Sequence, residues 1–190
     1  MTNHNVILTL NFLTNFFFVF SPIFLLIVNM IILESTIIFS VKRQNIYIFL
    51  YGFILFFGML ILLLLPDNFL GEEQPFLSVK ITSEGAPHWG LIFFIYVNFI
   101  TTVFAVIPII HTSLKIFIRF ENKILKKKWF FYFIGSLGSF SLWYLISIGN
   151  LLNDEGFKLI VGIFGISIIL WASLMYYGIG FKLKDAKLKE

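Results

Sequence analysis

The chain contains no cysteine and few charged side chains. Without cysteine it cannot form a disulfide, a thiolate zinc site or an iron–sulfur cluster. Only 13% of its 190 residues are charged, whereas an average soluble domain has about 25%. A soluble fold would have too few charges to cover its surface, but lipid accepts apolar side chains on the outside of a protein. The composition therefore indicates a membrane protein.

Motifs for catalysis and metal binding are also missing. The chain has no H-E-x-x-H, G-x-S-x-G or Walker A pattern. Its three histidines, His4, His88 and His111, are isolated, so no helix offers a pair of metal or haem ligands. A pump would need ionisable groups at several membrane depths. We expect no catalysis, no cofactor and no metal, although the chain could serve as a subunit of a larger enzyme or pump.

What the chain does have is apolar sequence, which makes up 59% of its residues. Five apolar runs have about 20 residues or more, enough for a helix to cross a hydrocarbon core of about 30 Å. They are too long and continuous for the strands of a barrel. We therefore predict an all-α membrane helix bundle, a single domain with five transmembrane helices. The predicted spans are approximately 12–41, 45–65, 89–114, 129–149 and 159–181.

The basic residues are divided unequally between the two sides of this topology. Of the fourteen Lys and Arg residues, only Lys80 and Lys158 fall on the side of the long outer loop, 66–88. The others lie between the first two spans, in the inner loop 115–128 or in the tail 182–190. Cytoplasmic loops retain Lys and Arg, so we expect a multi-pass protein of the cell membrane with its N-terminus outside and its C-terminus inside.

The net charge of +4 has the same explanation. Basic residues beside membrane exits are typical of contacts with anionic lipid headgroups on the inner side, so we expect no nucleic-acid partner. The inner loop also carries apolar residues at helical spacing, which favours a lipid-anchored helix end, with a docking surface for a cytoplasmic protein as the alternative. The headgroup or partner contacts would be Arg119, Lys123, Lys126, Lys127 and Lys128.

Two spans carry polar side chains on one face. At about 100° per residue, the polar face of the first span contains Asn11, Asn15, Asn29, Thr36 and Ser40. The polar face of the third contains Asn98, Thr101, Thr102, Thr112 and Ser113. Because unpaired amides are costly in lipid, both faces should point into the bundle. They either hydrogen-bond to neighbouring helices or line a cleft that holds water or a ligand.

If the cleft exists, a small ligand would bind in the outer half of the bundle. The candidate ligand-binding residues combine amides and aromatic rings at that depth: Asn11, Asn15, Trp89, Tyr96, Asn98 and Trp143. Trp89 is also placed where indole rings lie at a membrane interface, and Trp143 falls within a span, where it can simply pack between helices.

One acidic residue lies within a span. Glu34 is about 12 Å along the helix from Lys42, and His111 has a similar inner depth. An ionisable group inside a membrane is a candidate for function. We therefore hypothesise that Glu34 and His111 form an intramembrane polar pair; the alternative is that both are independent interfacial residues.

Small residues and a short alternating segment complete the pattern. Small side chains predict close packing of the fourth span against the fifth, or a homodimer through the same faces: Gly135, Gly138, Ser139, Gly162, Gly165, Ala172, Ser173 and Gly180. In the outer loop, Leu77, Val79 and Ile81 alternate with polar residues, which predicts a strand. That strand would form a hairpin cap on the helix ends or pair with a partner protein.

A lysine-rich turn leads into the apolar segment Trp129–Gly135, and the last span ends in Tyr176–Gly180 before a basic tail. This stretch, about a third of the chain, resembles the multi-span input modules of seven-helix sensor histidine kinases and stand-alone archaeal membrane proteins of similar shape. The resemblance implies an input module without its own output domain, which depends on a partner.

Taken together, these features lead us to expect a sensor-like or receptor-like module without catalysis, whose signal leaves through the basic helix ends. A structural or accessory subunit of a larger membrane complex is the alternative. A small transporter or channel subunit is a third interpretation.

Overall fold

The computed structural model describes residues 4–65, 78–82 and 86–180 of the chain. Nearly all of them are helical, as expected for segments that must satisfy their backbone groups without water. The elements in chain order are α1 (His4–Phe20), α2 (Pro22–Ile38), α3 (Val41–Leu64), β1 (Val79–Ile81), β2 (Pro87–Trp89), α4 (Leu91–Thr101), a π-helical turn (Thr102–Val106), α5 (Ile107–Arg119), α6 (Lys123–Leu152), α7 (Glu155–Gly165) and α8 (Ile168–Gly180).

Five continuous helical segments of this structure are long and apolar enough to cross a membrane. They are Val6–Glu34, Val41–Leu64, Leu91–Arg119, Lys123–Leu152 and Glu155–Ile179, numbered here as spans one to five. Span one joins α1 to α2, span three joins α4, the π-helical turn and α5, and span five joins α7 to α8. The predicted all-α bundle of five spans is thereby confirmed, and the chain is a multi-pass membrane protein.

The two ends of the bundle differ in character. At one end, called the basic end, the ion pair between Arg43 and Glu34 joins α3 to α2 with an N–O distance of 3.8 Å. Arg119 at the end of α5 donates a hydrogen bond of 3.1 Å to the carbonyl of Leu33. The other end, called the hairpin end, carries β1 and β2.

The basic segment between spans three and four is mostly helical. α5 continues to Arg119 and α6 begins at Lys123, so only residues 120–122 lie outside the helices. The side chain of Asn122 accepts hydrogen bonds from the backbone N–H groups of Ile124 and Leu125. This cap starts α6 six residues before the predicted start of the span at Trp129, because it satisfies donors that the first turn leaves free.

The hairpin pairs two short antiparallel strands, with Val79 opposite Trp89 and Lys80 opposite His88. β1 contains the Val79–Ile81 part of the predicted strand, whereas Leu77 and the segments 66–77 and 83–85 lie outside the described residues. β1 contacts α1 and β2 contacts α6, so the hairpin covers the helix ends as a cap. A two-strand ribbon is stable only against such support.

Proline interrupts the hydrogen bonding of spans one and three. Pro22 has no N–H for the carbonyl of Phe18, and the hydroxyl of Ser21 donates to that carbonyl instead, at 2.9 Å. In span three, Pro108 follows the π-helical turn, where the N–H of Ile107 bonds to the carbonyl of Thr102, five residues earlier. The wider turn accommodates the ring of Pro108, which would otherwise crowd the preceding turn.

Span five is interrupted without proline. The N–H groups of Ile166 and Ser167 bond to carbonyls three residues earlier, at 3.2 and 2.9 Å. Gly165 precedes this tightened turn, and a glycine close to a serine is a common position for a helix to bend. Spans one, three and five therefore each contain an interruption of the regular α-helical hydrogen bonding.

Spans four and five form a closely packed pair. A Cβ atom on Gly138 would lie 2.2 Å from the ring of Trp171, and one on Gly135 would lie 2.6 Å from the carbonyl oxygen of Trp171. The predicted antiparallel seam between these spans is confirmed for the glycines of α6. By contrast, a Cβ atom on Gly162 or Gly165 would meet nothing within 4 Å, so these two glycines take no part in it.

Candidate functional site

A cavity of about 170 Å³ lies where the three interrupted spans meet span four. It is lined by Phe18, Val19, Ser21, Pro22, Leu25, Thr101, Ser139, Phe140, Trp143, Ile168 and Met175. We refer to it as the Trp143 cavity. Ser21 and Pro22 come from the interruption of span one, Thr101 precedes the π-helical turn, and Ile168 follows the turn in span five. Three irregular segments therefore border one space.

The position of these irregularities has a physical reason. Inside a membrane, irregular backbone is tolerated only where protein buries it or where it lines a cavity. In transporters, interrupted helices of this kind surround the binding site near the middle of the bilayer. Helix interruptions that converge on the Trp143 cavity are therefore an arrangement suited to holding a ligand.

The polar groups of the Trp143 cavity are few and uncharged. The hydroxyls of Thr101 and Ser139 donate to the carbonyls of Val97 and Gly135, at 2.7 and 3.0 Å. Their oxygen lone pairs remain available as acceptors. No ionisable side chain of the described residues lines the cavity, so the space suits a neutral, mainly apolar molecule.

One donor of the lining is buried without a partner. The indole N–H of Trp143 has no hydrogen-bond acceptor within the described part of the chain, and only 4% of the residue is exposed. A buried donor without an acceptor costs about 1–3 kcal/mol. Bound water or a ligand with an acceptor atom would remove that cost.

Two further predicted residues carry unpaired buried atoms. Trp89 is fully buried, and its ring centroid lies 5.9 Å from that of Trp143. Neither the Trp89 indole N–H nor the carbonyl oxygen of the Asn98 amide has a partner among the described residues. The amide nitrogen of Asn98 donates to the carbonyl of Phe94 within its own helix. Three of the six predicted ligand-binding residues thus have unsatisfied hydrogen-bonding capacity.

The other three predicted residues already have partners. Asn15 donates to both the backbone and side-chain oxygens of Asn11, at 2.8 and 2.9 Å. The hydroxyl of Tyr96 donates to the carbonyl of Ile54 on α3 at 2.6 Å. Trp143 alone of the six lines the described cavity, so the structure does not gather the set around one space.

The polar faces of spans one and three meet in the half nearer the basic end. Asn29 on α2 is fully buried, and its amide nitrogen approaches the hydroxyls of Thr112 and Ser113 at 3.2 and 2.8 Å. The hydroxyl of Tyr132 on α6 donates to the Asn29 oxygen at 2.9 Å. Here the two polar faces hydrogen-bond to each other. The sequence had left open whether they would bond to neighbouring helices in this way or line a cleft.

This cluster of Asn29, Thr112, Ser113 and Tyr132 is called the Asn29 node. The indole N–H of Trp129 extends it by donating to the carbonyl of Ser113 at 2.9 Å. Sequence reasoning identified the asparagine and the two hydroxyls but missed both aromatic residues. The only indication in the sequence was that each of these two aromatic side chains carries a polar O–H or N–H group within an otherwise apolar span.

The two members of the hypothesised intramembrane pair have different neighbours in the structure. Glu34 lies beside Arg43, whereas the exposed His111 edges a groove that also contains Tyr47. Among the described residues, no ion pair or hydrogen bond joins Glu34 to His111. Energetic coupling between them stays a prediction.

The predicted headgroup contacts take several different positions at the basic end. Lys123 and Lys127 are exposed, and the ammonium group of Lys126 lies 4.8 Å from the ring centre of Phe117. Lys128 is buried. Lysine stems that cover aromatic surface while the charge reaches outward are typical of a membrane interface.

At the hairpin end, His88 lies beside two lysines. Burial lowers the pKa of His88, a backbone hydrogen bond with Leu151 raises it, and the positive charges of Lys158 and Lys80 lower it further. The ammonium group of Lys158 donates to the carbonyl of Pro87 at 3.3 Å and to the side-chain oxygen of Asn153 at 2.6 Å. Span five is thereby tied to the hairpin.

Comparison with models of known protein families, with curated proteins and with solved structures found no match for this chain.

Proposed function

We propose that this membrane protein is a non-catalytic, receptor-like module that binds a small neutral ligand in the Trp143 cavity. The observation that carries the proposal is the convergence of three helix interruptions on a single space. Trp143 lines this space, and its buried indole N–H has no partner among the described residues. The cavity borders the outer half of the bundle, where the sequence analysis placed the ligand. Trp143 is one of the six residues predicted to bind it.

The size and lining of the cavity limit the ligand. An apolar protein cavity of about 150 Å³ can hold benzene, so about 170 Å³ accommodates a ring with a small substituent. An acceptor atom on the substituent would pair with the Trp143 N–H. A hydroxyl or amide hydrogen on the ligand would find the oxygens of Thr101 and Ser139.

The same interruptions offer a route for a signal. A helix can change its bend at proline or at a π-helical turn more readily than within a regular segment. Occupation of the cavity would change the angles at Pro22 and Ser167, and the helix ends would move at the basic end, where Arg119 and Arg43 join neighbouring helices. A partner would read that movement, as the resemblance to sensor input modules implies.

A fluorinated probe tests the ligand site. We expect 4-fluoroacetophenone to give a saturable bound signal in ¹⁹F NMR of the protein in nanodiscs. Ser139→Leu should abolish the signal by filling the cavity, and Trp143→Phe should weaken it about fivefold to tenfold by removing one buried hydrogen bond.

Asn15→Leu is the matched control, because Asn15 lies outside the lining and bonds only within its own helix. Ser21→Leu fills the cavity from another helix in case Ser139→Leu does not fold. The absence of a saturable signal in the unaltered protein would refute the proposal. An unchanged signal in both folded filling variants would also refute it.

We also propose the orientation indicated by the basic residues, with the hairpin end outside the cell membrane and the basic end against anionic headgroups on the cytoplasmic side. Because the chain has no cysteine, single cysteines report the topology directly. In intact cells Glu155→Cys should react with an impermeant maleimide, and Glu121→Cys should react only after permeabilisation. Reaction of both variants, or of neither, would contradict this orientation.

An accessory-subunit function is the second candidate, favoured by the exposed surface of span five. Only 6% of its most apolar 18-residue stretch is buried, against 44% for the corresponding stretch of span three. Gly162 and Gly165 face open space. A stoichiometric companion lost on Gly162→Leu would support this function. A stable monomer in native nanodiscs would count against it.

A further inference from the structure

A second space, an apolar groove, lies between spans one, two and three on the side toward the basic end. Its volume is about 410 Å³, and its walls include Leu26 and Met30 of α2, Leu50 and Tyr51 of α3, and Ile107 of α5. It is separate from the Trp143 cavity, with which it shares no lining residue. We call it the α3–α5 groove.

The helix packing explains why the groove is open. α3 packs against α2 and α4, whereas α5 packs against α2 and α6. α3 and α5 therefore diverge toward the basic end and leave α2 as the floor between them. The groove opens sideways from the bundle, where membrane lipid is the solvent.

A shallower depression adjoins the groove at Leu50 and extends along the neighbouring face of α3 toward its charged end. It shares Leu50 with the groove and is lined otherwise by Lys42, Asn45, Ile46 and Phe49. From Leu50 to Lys42 the helix rises about 12 Å, and the hydrocarbon part of one leaflet is about 15 Å thick. Measured along α3, the groove and the depression together therefore reach about as deep into the membrane as one acyl chain.

Basic residues at the start of α3, beside the groove, would select the headgroup. Lys42 is exposed and forms no ion pair within the described residues. Arg43, whose side chain is about half exposed, is the next residue, and its pairing with Glu34 is long, at 3.8 Å. Tyr47, about one turn from Arg43 along α3, also lines the groove, at a depth that tyrosine favours at membrane interfaces.

We propose that the α3–α5 groove binds an anionic phospholipid, with one acyl chain along α2 and the phosphate held by Lys42. This site is distinct from the ligand site proposed above and does not depend on it. The bound lipid would fill the gap between spans two and three, and it would make the packing of these spans sensitive to the charge of the surrounding membrane.

Native mass spectrometry of the protein released from nanodiscs tests the proposal, with phosphatidylglycerol and phosphatidylcholine in equal amounts. We expect one retained lipid per protein, with phosphatidylglycerol favoured about fivefold, the preference that one lysine–headgroup contact can give. Lys42→Glu should abolish the preference, and Leu50→Trp should abolish retention of both lipids by filling the groove.

Lys123→Glu is the matched control, because it reverses an exposed charge at the basic end without touching the groove. Val103→Phe fills the opposite wall in case Leu50→Trp does not fold. Equal retention of the two lipids by the unaltered protein would overturn the proposal. So would an equal loss of preference in Lys42→Glu and Lys123→Glu, since general surface charge would then explain the effect. Binding of 4-fluoroacetophenone is read separately, so failure of either site is recognised independently.

Discussion

Tyr132 on span four donates a hydrogen bond of 2.9 Å to the amide oxygen of Asn29 on span one, and both residues are fully buried. The amide nitrogen of Asn29 faces Ser113 of span three at 2.8 Å. One side chain thus joins three spans in the interior of the bundle. Because lipid offers no competing hydrogen bonds, such a residue fixes the rotation of each helix relative to the others.

Replacing Asn29 should destabilise the bundle. Asn29→Leu removes the bonds to α5 and leaves the Tyr132 hydroxyl without its acceptor, which we expect to cost about 1–3 kcal/mol. Unfolding by SDS in mixed micelles, followed by circular dichroism, measures this loss. Asn15→Leu is the control and should change stability by less than about 0.5 kcal/mol. Equal effects of the two variants would contradict a central role for the Asn29 node.

Adding one methyl group should have opposite effects at two glycines. Gly135→Ala would bring its Cβ to 2.6 Å from the Trp171 carbonyl oxygen, and backbone cannot move aside, so we expect a loss of about 1–3 kcal/mol. Gly162→Ala enters open space and should be neutral or stabilising by up to about 1 kcal/mol. The same denaturation assay distinguishes them. A loss at Gly162 comparable to that at Gly135 would show that a partner or another copy covers span five.

Glu34 should be coupled to Arg43. The two side chains are 30% and 49% exposed and 3.8 Å apart, so a double-mutant cycle with Glu34→Gln and Arg43→Gln should give about 0.2–1 kcal/mol. A parallel cycle with His111→Ala tests the hypothesised intramembrane pair. Additive effects of Glu34→Gln and His111→Ala would refute that pair, whereas non-additive effects would support it.

Acid should loosen the hairpin through His88. Its pKa is lowered chiefly by burial, so the folded chain binds fewer protons than the unfolded chain at this site. The resulting stability is present above the ordinary value of about 6.5 and is lost as the pH falls below it. The melting temperature should therefore fall from pH 7.5 to pH 5 more in the unaltered protein than in His88→Gln. Identical pH profiles would exclude this contribution.

Hydropathy was sufficient to predict the five spans because each crossing helix satisfies its backbone internally and needs no knowledge of its neighbours. The shared face of Thr112 and Ser113 followed from helical periodicity alone. Tyr132 could not be identified as the third partner of Asn29, because contact between two helices depends on their rotation and depth. β2 escaped detection because a three-residue strand that begins with proline carries no periodic signal.

The candidate site was harder to predict for the same reason. Trp143 was identified as an aromatic residue within a span, but the cavity beside it arises only where the interruptions at Pro22, Thr101 and Ile168 reach one depth. The local order of residues determined that this chain is helical, where its apolar segments begin and end, and which side chains are polar. Only the tertiary structure decided which of those polar atoms find partners and which remain free to bind something else, because pairing requires groups distant in sequence to come within about 3 Å of each other.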